Sequence, residues 1–344
     1  MLLFNSDYME GCHPRILELL QQTNFEQAVG YEQDQFCERA RELIRNKCED
    51  SNVDVHFFTG GTLTNLTVIA AALRPHQGVI SSAPGHVATH ETGAIEATGH
   101  KVLTLPSADA KLTAQQIDDY FKTEGGSGSE HVVMPKMVYI SHPTELGTLY
   151  TKAELTALAE ACRRHGQYLF MDGARLGYAL AVEDNDLDMP TINKLCDVFY
   201  IGGNKVGALI GEAVVVRNEE LKVHFRHAMK QHGALCAKGR LLGIQFIGLF
   251  EDDLYVKIAK NAIDTAMMIR AACQDAGYKF AVESPTNQQF IIFPNHILEQ
   301  LKKKYGLSQG AVVDENHTAA RICTSWCTKK EDVEQLCNDI RTLK

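Results

Sequence analysis

What most constrains this chain is an alternation. Short runs rich in β-branched and aromatic residues are each followed by a helical run. The β runs fall at 54–58, 78–81, 101–105, 136–141 and 168–171. Helical patterns fill 63–73, 87–98, 113–122 and 152–165, with a shorter one after 171. Repeated strand–helix–strand order covers both faces of the strands and predicts a mostly parallel α/β sheet. Two more β runs, 197–201 and 208–216, have no helix between them. A parallel crossover needs about a dozen residues or more, so one of the two is expected to be antiparallel.

From residue 218 the pattern changes. Helical runs at 218–230, 237–250 and 254–275 precede β runs at 289–293 and 319–323 and a last helix at 330–343. This predicts a second, smaller α+β unit joined through the helix around 240–265. The expected organisation is an N-terminal segment at 1–25, packed on the small domain and the site. A large α/β domain then covers 26–245 and a small C-terminal domain 246–344. The Gly-Gly-Ser-Gly-Ser run at 125–129 is expected to be a flexible surface loop.

Charge and cysteine usage narrow the function. The chain has 34 basic and 43 acidic residues, a net charge of −9. That is a poor footprint for a nucleic-acid partner, which calls for a basic surface. The longest apolar stretch, 241–250, is interrupted by Gln245 and two glycines and is too short to cross a bilayer. Ten scattered cysteines behind a start that lacks a secretory pattern predict reduced thiols and a cytoplasmic location.

Four motifs carry possible chemistry. Thr59-Gly60-Gly61-Thr62-Leu63 joins a strand to a helix, where glycines and free N–H groups can receive an anion. Its bland alternative is a turn capped by Thr62. Asp172, in Met171-Asp172-Gly173-Ala174-Arg175, ends a strand where open α/β sheets bind ligands. It could equally cap the next helix. Lys205 stands in a glycine-rich turn between two apolar runs. A desolvated lysine can form a Schiff base, and an exposed turn lysine is the plain alternative. His86 and His90 lie four residues apart, a spacing that suits a metal, but no third ligand is near and no metal is expected.

Taken together, the first three motifs specify more than they do singly. An anion-binding helix start, then a strand-end acid, then a lysine 33 residues later form a pyridoxal phosphate layout. The phosphate needs the helix start, the pyridine nitrogen a carboxylate and the aldehyde a lysine.

In this setting the chain resembles the L-threonine aldolase family of the fold-type I pyridoxal phosphate enzymes, within the β-eliminating lyase superfamily. The segments that carry the likeness are Asn5-Ser6-Asp7, Gly30-Tyr31, Gly61-Thr62-Leu63-Thr64-Asn65-Leu66 and Asp172-Gly173-Ala174-Arg175. The resemblance implies an aspartate aminotransferase-like fold, with a mostly parallel seven-stranded sheet and a small C-terminal domain. It implies that Lys205 holds pyridoxal 5′-phosphate, that Asp172 pairs with its ring nitrogen and that His86 stacks on the ring near the substrate hydroxyl, whose proton would go to His86, His131 or a water they hold. Gly61 and Thr62 would hold the phosphate. His131 would be a second catalytic histidine facing the substrate. Arg175 and Arg321, helped by Ser6, would serve the substrate carboxylate, and Arg175 would also contact the cofactor. Tyr31 would contribute across a subunit interface in a homodimer or homotetramer.

Three positions depart from the commoner family pattern. The lysine sits in Gly202-Gly203-Asn204-Lys205-Val206-Gly207. Met229-Lys230-Gln231 replaces a Met-Arg-Gln, so Lys230 or Lys238 (or Arg240) would take over the phosphate. His142 fills a strand-end asparagine position. The implied activity is retro-aldol cleavage of a β-hydroxy-α-amino acid, threonine or allo-threonine, to glycine and an aldehyde. A β-eliminating lyase or an aminotransferase on the same cofactor is the alternative, and a binding protein without turnover or a metal-dependent hydrolase stands further off.

Overall fold

The computed structural model describes residues 1–123, 125–126 and 128–343. Its strands are β1 (Leu2–Leu3), β2 (Asp54–Phe58), β3 (Gln77–Ser82), β4 (Val102–Leu105), β5 (Met134–Ser141), β6 (Tyr168–Asp172) and β7 (Val198–Gly202). There follow β8 (Glu212–Val216), β9 (Lys279–Val282), β10 (Gln288–Pro294), β11 (Tyr305–Gly306), β12 (Ser308–Val312) and β13 (His317–Cys323). Seven of them form the main sheet, in the order β2-β8-β7-β6-β5-β3-β4. β8 runs antiparallel to both β2 and β7, and the other neighbours are parallel. The fold is therefore the aspartate aminotransferase-like α/β architecture.

Strand alternation divides the large core into two layers. Phe57, Val138, Met171, Phe199 and Val215 face one side of the sheet. Phe58, Tyr139, Phe170, Tyr200 and Val214 face the other. Both sides are apolar because helices cover both, which is why the strands read as continuous apolar runs. A third core holds Phe4, Ile269, Ile291, Phe293, Ile322 and Leu336. It lies under a four-stranded antiparallel sheet ordered β12-β13-β10-β9. The 22-residue helix Leu254–Asp275 links the two parts, packing on helix Leu176–Leu180 on one side and helix Lys330–Thr342 on the other. The N-terminal segment joins the small sheet region through β1, which pairs in parallel with β11.

Some sequence expectations change. Residues 87–98 do not form one helix. Thr92 and Gly93 both take left-handed backbone, with φ of 52° and 73°, and split the run into turns His86–Thr89 and Ala94–Ala97. Thr62 does not cap its helix. Gly60 occupies the cap position without a side-chain bond, and helix Gly61–Ala72 starts two residues earlier than a Thr62 cap would require. β9, β11 and β12 are additional short strands. Ser127, in the glycine–serine run, lies outside the described residues. All ten cysteines are unpaired. Among the described residues, no helix is long and apolar enough to cross a membrane.

The main sheet also carries an acid-sensitive element. His56 on β2 is buried, its ring centroid 4.9 Å from that of Phe225, and neither ring nitrogen has a hydrogen-bond partner. Burial, then the charges of Arg41, Arg226 and Arg45, holds its pKa down at about 3. His142 is likewise held at about 4, mainly by burial. With folded pKa values below the ordinary 6.5, both rings stay neutral in the fold while the unfolded chain takes up protons. Their contribution is intact above pH 6.5 and is lost as pH falls toward 4. Each then costs at most about 3 kcal/mol between pH 6.5 and 4.5. Urea titrations followed by circular dichroism should show this acid loss, and His56→Phe should make it shallower. An unchanged slope in that variant would contradict the assignment to His56.

Candidate active site

The C-terminal ends of β5, β6 and β7 and the turn after β2 meet at one edge of the sheet, where α/β folds place ligands. A cavity of about 410 Å³ opens there, lined among others by Gly61, Thr62, His86, Asp172, Arg175 and Lys205. These six positions lie far apart in sequence, and the parallel register brings them together.

Asp172 ends β6 and is buried. Its Oδ2 accepts from Tyr139 Oη at 2.6 Å and from Asn65 Nδ2 at 3.1 Å, and its Oδ1 accepts from the Ala174 N–H at 2.9 Å. Burial pushes the carboxyl up. The charge of His86 and the hydrogen bonds from Tyr139, Tyr200 and Ala174 outweigh that, so it titrates below its ordinary value. Asp172 is thus a fixed negative charge at the cavity wall, as a protonated ring nitrogen requires.

Lys205 follows β7 in a turn pinned by Asn204. The Asn204 Nδ2 donates to Thr59 O at 3.1 Å and to Glu212 Oε1 at 2.8 Å, while its Oδ1 accepts from the Gly211 N–H at 3.0 Å. Tyr178 Oη donates to the Lys205 carbonyl. Burial and the neighbouring Arg175 charge lower the lysine pKa, and Asp7, Asp172 and Glu212 partly restore it. A lowered pKa favours the neutral amine that a Schiff-base lysine needs. Glu212 itself is pushed up to about 8, chiefly by burial, against the pull of Asn204 and Lys205.

His86 is set by a hydrogen-bonded chain behind it. Its Nδ1 lies 2.9 Å from Glu91 Oε1, and that oxygen also accepts from Asn65 Nδ2 at 2.7 Å. Asn65 bridges in turn to Asp172, so cofactor-side acid and histidine share one network. Burial lowers the His86 pKa, but Glu91 and Asp172 more than offset this and raise it above its ordinary value. The backbone N–H of His86 donates to Glu145 Oε1 at 2.7 Å. His90 stacks on His86 at 5.5 Å between centroids. Among the described residues, no group of three or more acidic, histidine or cysteine side chains is arranged to hold a metal ion.

Arg175 takes a different place from the one its motif suggested. Its Nε and Nη2 form a two-pronged pair with Asp7, at 2.6 and 3.0 Å. The fork that would meet a substrate carboxylate is occupied by a residue 168 positions away. Arg321, on β13, lines a second cavity of about 600 Å³ between the two sheets. Its Nη1 donates to Gln288 at 3.1 Å and its Nη2 to the Asn5 carbonyl at 3.0 Å, while its Nε is buried without a partner. Ser6 is buried with an unpartnered hydroxyl but lines neither cavity, whereas Tyr8 lines both.

Other expected residues are not brought to the cavity within one chain. His131 is exposed (81% of its side chain) and sits 3.9 Å from Glu130, because it stands in the surface turn before β5. Lys230 lies over the Tyr31 ring, 4.6 Å from its centroid, and both stand on an outer face, since helix Phe225–Gln231 points that residue outward. Lys238 lines a separate cavity beside Thr23 and Glu26. Arg240, beside it, donates to the Thr23 and Glu26 carbonyls. His142 is fully buried, accepts from the Tyr150 N–H at 3.4 Å and does not line the cavity. Glu145, three residues on, takes the cavity-facing place. The sequence reading missed Glu145, Tyr8, Asp7, Glu91 and Asn65. Asn65 was visible in the phosphate-loop motif, and Asp7 in the N-terminal one.

The residues present fit pyridoxal phosphate. Gly61 and Thr62 line the cavity at the first turn of helix Gly61–Ala72, whose free N–H groups suit a phosphate. The carboxylate of Asp172 and the amine of Lys205 line the same cavity.

The family model described as beta-eliminating lyase matches residues 4–295. A low specificity L-threonine aldolase of a Pseudomonas species is 30% identical over 99% of this chain and 97% of its own length. The solved structure of Leishmania major threonine aldolase superposes with a TM-score of 0.98 at 42% identity, covering 100% of this chain and 99% of the other. An aspartate aminotransferase of Thermus thermophilus, 12% identical with a TM-score of 0.73 over 99% and 91% of the two chains, shares the fold. The chain therefore belongs to the beta-eliminating lyase family and, within it, to the threonine aldolases, enzymes of the aldehyde-lyase class.

Proposed function

We propose that this protein carries pyridoxal 5′-phosphate on Lys205 and cleaves L-threonine and L-allo-threonine to glycine and acetaldehyde. The observation that carries the reading is the placement of Lys205, Asp172 and the Gly61–Thr62 helix start around one cavity, with Arg321 in the lining of the adjoining one. When bound, the cofactor supplies an electron sink for the pair released at Cα. The protein does the rest. Asp172 keeps a negative charge against the ring nitrogen. Lys205 would hold the cofactor's aldehyde carbon, the position a substrate amine must take. Arg321 holds the carboxylate, which orients the Cα–Cβ bond and so selects the bond that breaks.

Replacing Arg321 with Ala should raise the KM for threonine roughly 10- to 100-fold, the value of one to two charge-assisted hydrogen bonds, with a smaller change in kcat. An unchanged KM would remove Arg321 from the substrate site. The direct test of the function is product analysis with L-threonine and L-allo-threonine. Equal amounts of glycine and acetaldehyde support the aldolase. Ammonia with a keto acid would point to β-elimination, and a need for a keto-acid partner to transamination.

The same reading extends to assembly. Phe25 is 95% exposed, and Val29, Tyr31, Leu209 and Ile210 are exposed with it. These apolar side chains support a homodimer or homotetramer in which Tyr31 and Lys230 serve a neighbouring copy's cavity. The ten unpaired cysteines suit a reducing, cytoplasmic compartment.

A further inference from the structure

The two cavities meet at a waist whose lining they share: Tyr8, His86, Glu145, Arg175 and Lys205. Lys205 marks where the substrate nitrogen and Cα must sit, and Arg321 marks the carboxylate. Arg175 is held by Asp7. The remaining substituent on Cα, with its β-hydroxyl, then faces Tyr8, His86 and Glu145.

We propose that Glu145, not His86, takes the proton from the β-hydroxyl. This rests on the aldolase reading above. Both hydrogen bonds that the Glu145 carboxyl accepts fall on Oε1: 2.7 Å from the His86 N–H and 2.6 Å from Ser141 Oγ. That leaves Oε2 for a hydroxyl at the waist. His86 is placed for the opposite task. Its Nδ1 is engaged with the buried Glu91, with Asp172 behind, and both acids favour the charged ring, which has no lone pair to take a proton.

The surroundings of Glu145 agree with this division. Burial raises its carboxyl above the ordinary value, and Asp172 adds to that, while the hydrogen bonds from Ser141 and His86 oppose it. A base gains strength as its pKa approaches the working pH. The charged and titratable groups around it are Tyr8 of the N-terminal segment, His86 and His90 from the 86–90 turn, Tyr139 on β5, Tyr150 in the loop after it, Asp172 and Arg175 at the end of β6, and Lys205.

The step balances without an oxidant or reductant. The O–H bond breaks and its proton goes to Oε2. The Cβ–O bond becomes the carbonyl of the aldehyde as Cα–Cβ breaks, and that electron pair stays with Cα. A proton returned to Cα completes glycine, so the products together have the atoms and charge of the substrate.

The test uses the cofactor-loaded enzyme, with Glu145→Gln and Glu145→Asp compared with wild type. Glycine has no β-hydroxyl, so its affinity, read from the absorption change it causes, should stay within about threefold in the Gln variant. Threonine cleavage by that variant should fall at least about 100-fold, the usual worth of a general base. The wild-type rate should rise with pH along a limb of unit slope. That limb should vanish in Glu145→Gln and persist in Glu145→Asp, which keeps a carboxylate. A limb retained in Glu145→Gln, or lost in Glu145→Asp, overturns the proposal, as does threonine cleavage within tenfold of wild type in the Gln variant. A wild-type enzyme that binds glycine but cleaves neither threonine epimer overturns the aldolase reading, and this proposal with it.

Discussion

Replacing Lys205 with Ala should lower threonine cleavage at least about a thousandfold, since the residue removed is the covalent anchor and, among the described residues, no other lysine lines the cavity. The turn itself should survive. It is held by Asn204, through Thr59, Glu212 and Gly211, and by Tyr178 on the lysine's carbonyl, and none of these bonds uses the side-chain amine. The thermal midpoint should therefore change little while activity disappears. Borohydride treatment of the loaded protein followed by peptide mass spectrometry gives a second readout. Wild type should carry a pyridoxyl group on the peptide containing Lys205, and the Ala variant should carry none. Retention of more than about a tenth of wild-type turnover in Lys205→Ala would end the assignment.

The largest stability effect is expected at Asp7. Its carboxylate is fully buried, paired with Arg175 through two bonds and accepting from Asn287 Nδ2 at 2.9 Å. Burial opposes its charge, but Arg175 and Lys205 prevail and its pKa lies below the ordinary value. Three parts of the chain meet on this carboxylate: the N-terminal segment, the turn after β6 and the approach to β10. Asp7→Ala leaves a buried guanidinium unpaired and should cost about 3–5 kcal/mol. Asp7→Ala combined with Arg175→Met should cost much less than the sum of the single changes, because neither charge is then stranded. Denaturant midpoints of the four proteins measure this directly. Additive losses would show that the pair does not act as a unit. The stabilisation has a pH sign as well. With its folded pKa depressed, Asp7 contributes fully above the unfolded carboxylate pKa, and that contribution fades as pH falls toward the folded value.

Residues near the site differ in how readily sequence exposes them. Asp172 and Lys205 were legible because each stands at a strand end with glycines beside it, and strand ends are fixed by the apolar runs that precede them. Gly61 was legible for the same reason. His142 and Glu145 show the limit. Both follow β5 within four residues, and which of them faces the cavity depends on the path of the loop. The structure turns His142 into the protein beside Tyr150 and Glu145 toward His86. Lys230 was read as a phosphate partner from its motif neighbours; helix Phe225–Gln231 carries it to the outer face beside Tyr31, so within one chain it does not reach the cavity.

The sequence by itself determined the layered α/β fold, the antiparallel pairing at β7–β8 and the lysine–aspartate–glycine layout. Each follows from local patterns: strand and helix periodicity, connection length, and turn residues at strand ends. Only the tertiary structure decided that Arg175 belongs to Asp7, that Asn65 ties Asp172 to the Glu91–His86 pair, and that Glu145 stands at the waist between the cavities. Those pairings join residues separated by 26 to 168 positions. Their partners are chosen by where packed elements place side chains, and no local pattern records that.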